Sequence, residues 1–134
     1  MPTMDIYQAG RKVGSKEFQN KFFITKEVDG GRLFWEADEE QDSSKKGGVF
    51  QVWILGASFT PMIAFASPDW RLVIDGIILE QGLYDHIDVA GRTVELHYGD
   101  YRFVCSFPAT ADQSPSKISE LRPIAGKDDI KYNG

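Results

Sequence analysis

The chain has 134 residues, about the length of one domain, and residues 1–134 are expected to form a single domain. Hydrophobic residues make up 42% of it and aromatic residues 13%, which is more than a disordered chain carries and predicts a packed core. The net charge of −5 argues against nucleic acid or an anionic membrane as a partner held through the overall field.

The cellular compartment is predicted from what the sequence lacks. Cys105 is the single cysteine, which excludes an intramolecular disulfide and a thiolate zinc cluster and favours a reducing compartment. Residues 1–10 show no positive region followed by an apolar run, so they predict no secretory signal. The apolar runs are well short of the ~20 residues that cross a bilayer. We therefore expect a soluble, cytoplasmic protein with no membrane partner.

The first part of the chain predicts strands around one hairpin. Residues 4–8 predict a strand, and residues 15–20 predict a helical turn. Residues 22–28 and 32–37 predict a hairpin, because the glycines of the intervening Asp29-Gly30-Gly31 supply the positive φ that a tight reversal needs.

A polar segment over residues 38–48 follows this hairpin. It begins within a cluster of carboxylates, namely Glu36, Asp38, Glu39, Glu40 and Asp42, and continues into serines, lysines and glycines. Such a segment cannot bury enough apolar area to offset the entropy cost of ordering it, so it predicts a mobile loop.

The middle of the chain predicts four short strands. Apolar runs at residues 49–55 and 62–66, bounded by glycine and proline, are typical of strands that are covered on both faces. Residues 72–74 and 77–80 flank Asp75-Gly76, which is a strong signal for a two-residue hairpin turn.

The C-terminal part, over residues 84–107, predicts a meander of three strands. The strands at 85–89, 92–98 and 101–107 are separated by Ala90-Gly91 and Gly99-Asp100, and both pairs are interpreted as two-residue turns. The register that follows places these residues opposite one another: Ile87 and Val94, His86 and Glu95, Leu96 and Phe103, Val94 and Cys105. One face of the meander is then apolar and the other polar, and Cys105 falls on the apolar face as a small core residue.

The fold class follows from these short strands and frequent turn signals. We expect a single-domain, all-β antiparallel sandwich or barrel that includes the C-terminal meander. The alternative is an α+β rolled sheet with one short helix. That helix is predicted at residues 116–121, although residues 118–124 could instead form an edge strand, and residues 126–134 predict a frayed tail.

A possible metal site lies on the polar face of the predicted meander. His86, Glu95 and His97 fall on one side of the sheet in the predicted register, and two imidazoles with a carboxylate can hold a divalent metal. Cross-strand polar pairs are also normal on a wet sheet surface, and this is the interpretation that the pattern favours.

Adjacent aromatic residues predict a binding surface. Successive residues of a strand face opposite sides, so one member of each of the pairs Phe22-Phe23 and Phe34-Trp35 is expected to point away from the core. Together with the acidic cluster, this favours a non-catalytic protein that acts through a protein partner, such as a small acidic inhibitor or an immunity-type protein. Its predicted contact residues are Phe34, Trp35, Glu36, Asp38, Glu39 and Glu40. A second copy of the chain could also cover such aromatic residues.

Two other functions stay open. The first is capture of an anionic or aromatic small molecule in a pocket lined by Phe50, Trp53 and Tyr84, where Arg71 or Arg102 binds an anionic group. The second is a metal-dependent enzyme built on the histidine cluster. The residues match no catalytic motif, so a non-catalytic role is favoured and no cofactor is expected.

Overall fold

The computed structural model describes residues 2–27, 32–38, 48–55, 60–67, 69–109 and 118–126. These residues form twelve strands: β1 Thr3–Gln8, β2 Arg11–Glu17, β3 Lys21–Lys26, β4 Leu33–Ala37, β5 Gly48–Leu55, β6 Thr60–Ser67, β7 Arg71–Ile74, β8 Ile77–Ile78, β9 Gly82–Asp88, β10 Thr93–Tyr98, β11 Tyr101–Ser106 and β12 Ala125–Gly126. One turn of 3-10 helix covers Ile118–Glu120. Within these ranges, no helix has the length and apolar character needed to cross a bilayer.

The strands pair into two antiparallel sheets of six strands each. The first sheet has the order β2-β1-β11-β10-β7-β8, and the second has the order β12-β9-β6-β5-β3-β4. Neither sheet closes into a barrel, so the prediction of an all-β antiparallel sandwich is confirmed and the barrel is not. The α+β alternative is also not supported, because the 3-10 turn is the single helical element of the described residues.

The core lies between the two sheets and follows the alternation of side chains along each strand. Its largest fully buried side chains are Trp70, Tyr84, Phe18, Phe22, Phe50, Phe65 and Phe103. Each side chain of this size stabilises the fold by roughly 1.5–3 kcal/mol when it leaves water. Burial and the nearby Asp5 raise the pKa of the Cys105 thiol to about 12, which fits the predicted core role for this residue.

Only one of the two predicted hairpins of the C-terminal meander forms. The β10–β11 hairpin is confirmed, with Leu96 opposite Phe103 and Val94 opposite Cys105. The prediction of a hairpin between β9 and β10 is wrong. Strand β9 pairs with β6 and β12, whereas β10 pairs with β7 and β11. A turn does form, since the Arg92 N–H donates to the Val89 carbonyl at 3.1 Å, but the strands on its two sides belong to different sheets.

Backbone hydrogen bonds explain why the chain changes sheet at this turn. The Val89 N–H donates to the Pro61 carbonyl, at the start of β6 in the second sheet. Two residues later, the Gly91 N–H donates to the Pro108 carbonyl, just after β11 of the first sheet. Val89 and Ala90 are fully buried between these anchors, so the turn is a covered corner and not an exposed hairpin loop.

The two other predicted hairpins are confirmed. Ile74 lies opposite Ile77, and the intervening Asp75 and Gly76 have φ angles of 50° and 80°, as the two-residue turn requires. Strands β3 and β4 also pair as predicted, although residues 28–31 of their turn lie outside the described residues.

The predictions for the two chain ends need correction. Residues 15–20 do not form a helical turn, because β2 extends to Glu17 and pairs along β1. Within the described part of the helix predicted at 116–121, one 3-10 turn forms at Ile118–Glu120, and the edge strand predicted at 118–124 is replaced by the two-residue β12. The mobile loop was predicted at residues 38–48 and the frayed tail at residues 126–134; apart from Asp38, Gly48 and Gly126, these residues lie outside the described ones.

Two threonines give a matched test of hydrogen bonding in this sandwich. Thr25 points away from the core, yet it is fully buried, and within the described residues its hydroxyl has no hydrogen-bond partner. Replacing this hydroxyl with a methyl group in Thr25→Val should raise the free energy of unfolding by about 1 kcal/mol, because it removes an unsatisfied buried polar group. Urea unfolding at an unchanged slope measures the difference.

The control is Thr93→Val, at a position where the hydroxyl lies 2.9 Å from that of Ser106. This variant loses a hydrogen bond and should be less stable than the wild type by about 0.5–1 kcal/mol. Equal losses in both variants would contradict the assignment of Thr25 as an unsatisfied group.

Candidate functional site

The predicted metal ligands lie on opposite sides of the sandwich. His86 belongs to the second sheet, where its ring stacks on Trp53 with the ring centres 6.4 Å apart and its Nδ1 lies 2.9 Å from an oxygen of Asp85. Glu95 and His97 belong to the first sheet. The predicted metal site depends on pairing between β9 and β10. Because these strands do not pair, His86 lies far from Glu95 and His97 on the other outer face of the sandwich. Throughout the described ranges, no group of three or more potential metal ligands is present.

The residues of the predicted small-molecule pocket are not brought together. Phe50 and Tyr84 are buried on the inner face of the second sheet, as part of the core. Trp53 points out of the same sheet, because it lies an odd number of residues from Phe50 along β5. Arg71 is exposed and Arg102 is half-buried, and both lie on the outer face of the first sheet.

The predicted partner-binding residues divide between the two sides of β4. Trp35 packs inward, with its ring centre 5.6 Å from that of Phe103. Phe34 and Glu36 point outward, and the Arg32 guanidinium lies 4.9 Å from the Phe34 ring centre. The expectation that one member of each aromatic pair leaves the core is therefore confirmed. Glu39 and Glu40 lie outside the described residues.

The outward side chains of the second sheet form a surface that we call the aromatic face. One row across the strands contains Glu36, Phe23, Gln51 and Ala64, and the next row contains Lys21, Trp53, Met62 and Asp88. Phe34 and His86 flank these rows. Phe23 is buried, and Phe34, Trp53 and Met62 are partly exposed. Large apolar groups therefore face outward on a sheet whose other side already contributes to the core.

The outer face of the first sheet, which we call the charged face, has a different composition. A row of aligned residues crosses five of its strands: Arg71, His97, Arg102, Tyr7 and Lys12. The neighbouring row supplies the opposite charge. Glu95 binds Arg102 at 3.0 Å, and Asp5 binds Lys12 at 3.2 Å. Since these partners compensate one another's charges, this face resembles an ordinary wet sheet surface.

Asp38, which was predicted to contact a partner, has a structural role within the chain. Its backbone is left-handed, with a φ of 58°, and its carboxylate accepts hydrogen bonds from the backbone N–H groups of Gln19, Asn20 and Lys21 at 2.6–3.1 Å. Partial burial raises the pKa of this carboxyl, but the three N–H donors and the Lys21 ammonium outweigh it, so the pKa lies below its usual value. Asp38 therefore fixes the turn between β2 and β3.

That turn forms one wall of a cleft at an end of the sandwich, which we call the end cleft. The end cleft has a volume of about 520 Å³ and is lined by Pro2, Gln19, Asn20, Ile54, Pro61, Phe107 and Pro108. All of these residues lie at or next to the ends of strands. Sequence reasoning missed the site because the residues are far apart in the chain. The sequence does show prolines next to three strand ends. Predicting that these prolines meet at one cleft also requires the order of the strands in the sheets.

The hydrogen bonds of Asp38 predict a pH-dependent contribution to stability. At pH 6, Asp38→Asn should lower the free energy of unfolding by about 0.5–1 kcal/mol, because asparagine keeps the left-handed backbone but loses charge-assisted hydrogen bonds that solvent partly screens at this exposed position. The carboxyl has a lowered pKa in the folded state, so its contribution is present above the ordinary value of 3.8 and is lost as the pH falls through the folded pKa. The difference between wild type and variant should shrink accordingly in urea titrations between pH 6 and pH 2.

A suitable control is Asp100→Asn, at an exposed position in the β10–β11 turn. It should change stability little at any pH. A pH-independent difference for Asp38→Asn, or an equal effect at Asp100, would contradict the role assigned to Asp38.

Comparison with known proteins does not extend these observations. The chain matches no protein-family model, and no curated protein is significantly similar to it. The aromatic face, the charged face and the end cleft are therefore the features from which a function is argued.

Proposed function

We propose that the protein is a non-catalytic binding protein that docks a protein partner on the aromatic face. The outward-facing aromatic and apolar side chains of the second sheet carry this proposal. Phe34, Trp53 and Met62 lie on a face whose apolar groups are outside the core cluster, whereas the charged face carries the ion pairs Glu95–Arg102 and Asp5–Lys12. Partly exposed aromatic groups on one face are typical of interaction surfaces.

Trp53 is the central anchor in this proposal. It lies in the middle of the sheet on β5, between Lys21 and Met62 in register, and it is stacked by His86. Strands on both sides hold its backbone, so little entropy is lost when a partner covers the indole. Tryptophan in such a preformed setting is among the residues that most often dominate binding energy.

The partner is proposed to have a basic surface. Glu36 lies on the aromatic face at the edge strand β4, and the sequence continues from that strand into Glu39, Glu40 and Asp42. Clustered carboxylates attract a cationic surface and speed its association, while the apolar contacts slow dissociation. Small acidic inhibitors and immunity-type proteins combine contacts of these two kinds.

The test compares variants on the two faces. Trp53→Ala should weaken capture of a basic partner from an extract of the source organism by about tenfold or more, as expected for a hot-spot residue. The control is Tyr7→Ala on the charged face, where the ring lies 4.4 Å below the Arg102 guanidinium. This variant removes an aromatic side chain of similar exposure and should leave capture unchanged. Matching circular dichroism spectra and melting temperatures establish that both variants are folded.

A charge reversal distinguishes electrostatic attraction of the partner from the apolar contacts that hold it. Glu36→Lys should slow association with the captured partner and weaken its dependence on salt, with a smaller change in the dissociation rate. Capture that survives Trp53→Ala would overturn the proposal. Light scattering that shows a dimer lost in Trp53→Ala would assign the face to a second copy of the chain instead.

A further inference from the structure

We propose that the end cleft is a separate binding site for a small uncharged molecule that has an apolar body and an amide-like edge. The site is separate from the aromatic face, because none of the described residues that line it belongs to that surface. Its volume of about 520 Å³ lies within the range of clefts that hold small organic ligands, roughly 300–1,000 Å³.

The chemistry of the lining residues indicates the ligand class. Five of the seven described lining residues are apolar, namely Pro2, Ile54, Pro61, Phe107 and Pro108. The other two, Gln19 and Asn20, have neutral carboxamides. Among the described residues that line the cleft, none carries a charge, so a charged ligand would lose hydration without gaining a counter-charge from them, whereas a neutral ring loses nothing comparable. The lining therefore favours an uncharged, apolar body.

The two carboxamides provide the polar recognition. Each one presents an acceptor oxygen and two N–H donors, which is the complement of another amide edge. Across the described ranges, the side-chain amides of Gln19 and Asn20 have no hydrogen-bond partner, and their hydrogen bonds to Asp38 use only backbone N–H groups. The donor and acceptor groups at the cleft are thus not committed to the fold.

The walls of the cleft are fixed before any ligand binds. The Phe18 N–H donates to the Pro2 carbonyl, and the Ile54 N–H donates to the Asn20 carbonyl. The carbonyls of Pro61 and Pro108 accept the two hydrogen bonds that anchor the corner between β9 and β10. Proline rings also have fixed φ angles. A preformed site loses little entropy on binding, which favours specific recognition of a small ligand.

The test uses three probes with one ring and different charges: benzamide, benzoate and benzamidine. Each is titrated into the ¹⁵N-labelled full chain, and amide chemical shifts are recorded. Benzamide should give saturable shifts at Gln19, Asn20, Ile54 and Phe107. The two charged probes should bind at least about fivefold more weakly, since the described lining residues supply no counter-charge.

A double variant tests the polar edge. Gln19→Ala combined with Asn20→Ala should raise the Kd for benzamide about fivefold or more, because it removes side-chain hydrogen bonds and leaves the backbone contacts of Asp38 in place. The control is Gln8→Ala, which removes an amide at the opposite end of β1 and should leave the Kd unchanged. Amide spectra that superimpose away from the substitutions establish that the variants are folded.

Three outcomes would overturn the proposal: no saturable shifts at the cleft, equal binding of benzoate or benzamidine, or an unchanged Kd in the double variant. None of them affects docking on the aromatic face. Conversely, partner capture that persists in Trp53→Ala would leave the end cleft assignment intact.

Discussion

The corner at Val89–Arg92 is the constraint on which the arrangement of surfaces depends. Here the chain leaves the second sheet and enters the first, held by one backbone hydrogen bond to Pro61 and another to Pro108. Buried backbone groups must be paired, so these two bonds make the crossing a stable feature of the fold. Because of it, β9 and β10 present their outward side chains on opposite sides of the sandwich, and the same two proline carbonyls lie at the end cleft.

The two outer faces differ in the side chains that their strands place at outward positions. In the first sheet, outward positions include the ion pairs Glu95–Arg102 and Asp5–Lys12. Tyr7, Val73 and Val104 lie in the same two rows. In the second sheet, outward positions carry aromatic and aliphatic groups as well as charges. The core does not require these outward aromatic and aliphatic groups, since the inner positions of the same strands already fill the space between the sheets. The difference between the faces is what separates an ordinary wet surface from a candidate docking surface.

Local signals in the sequence predicted the strands other than β2 and β12, and the hairpins at Asp75-Gly76 and Gly99-Asp100, because the turn residues and the alternation of side chains act over a few positions. The sequence could not predict that Ala90-Gly91 is a corner, because that depends on Pro61 and Pro108, which are distant in the chain. This one error grouped His86 with Glu95 and His97. Alternation along the strand predicts that one of Phe34 and Trp35 faces outward. It does not predict which one, because that depends on the strands that pair with β4. Asp38 looked like a surface carboxylate, and its hydrogen bonds depend on the pairing of β4 with β3, which brings Asp38 to the turn between β2 and β3.

The crossing of the chain between sheets is tested most directly by cross-strand contacts in nuclear Overhauser spectra of the labelled protein. Backbone contacts should join Ile63 with Ile87 in the second sheet and Leu72 with Leu96 in the first, as their pairing requires. A backbone contact between Ile87 and Val94 would contradict the account, because it would restore the hairpin between β9 and β10. His86 and Glu95 would then share one face, and the separation of the aromatic face from the charged face would be lost.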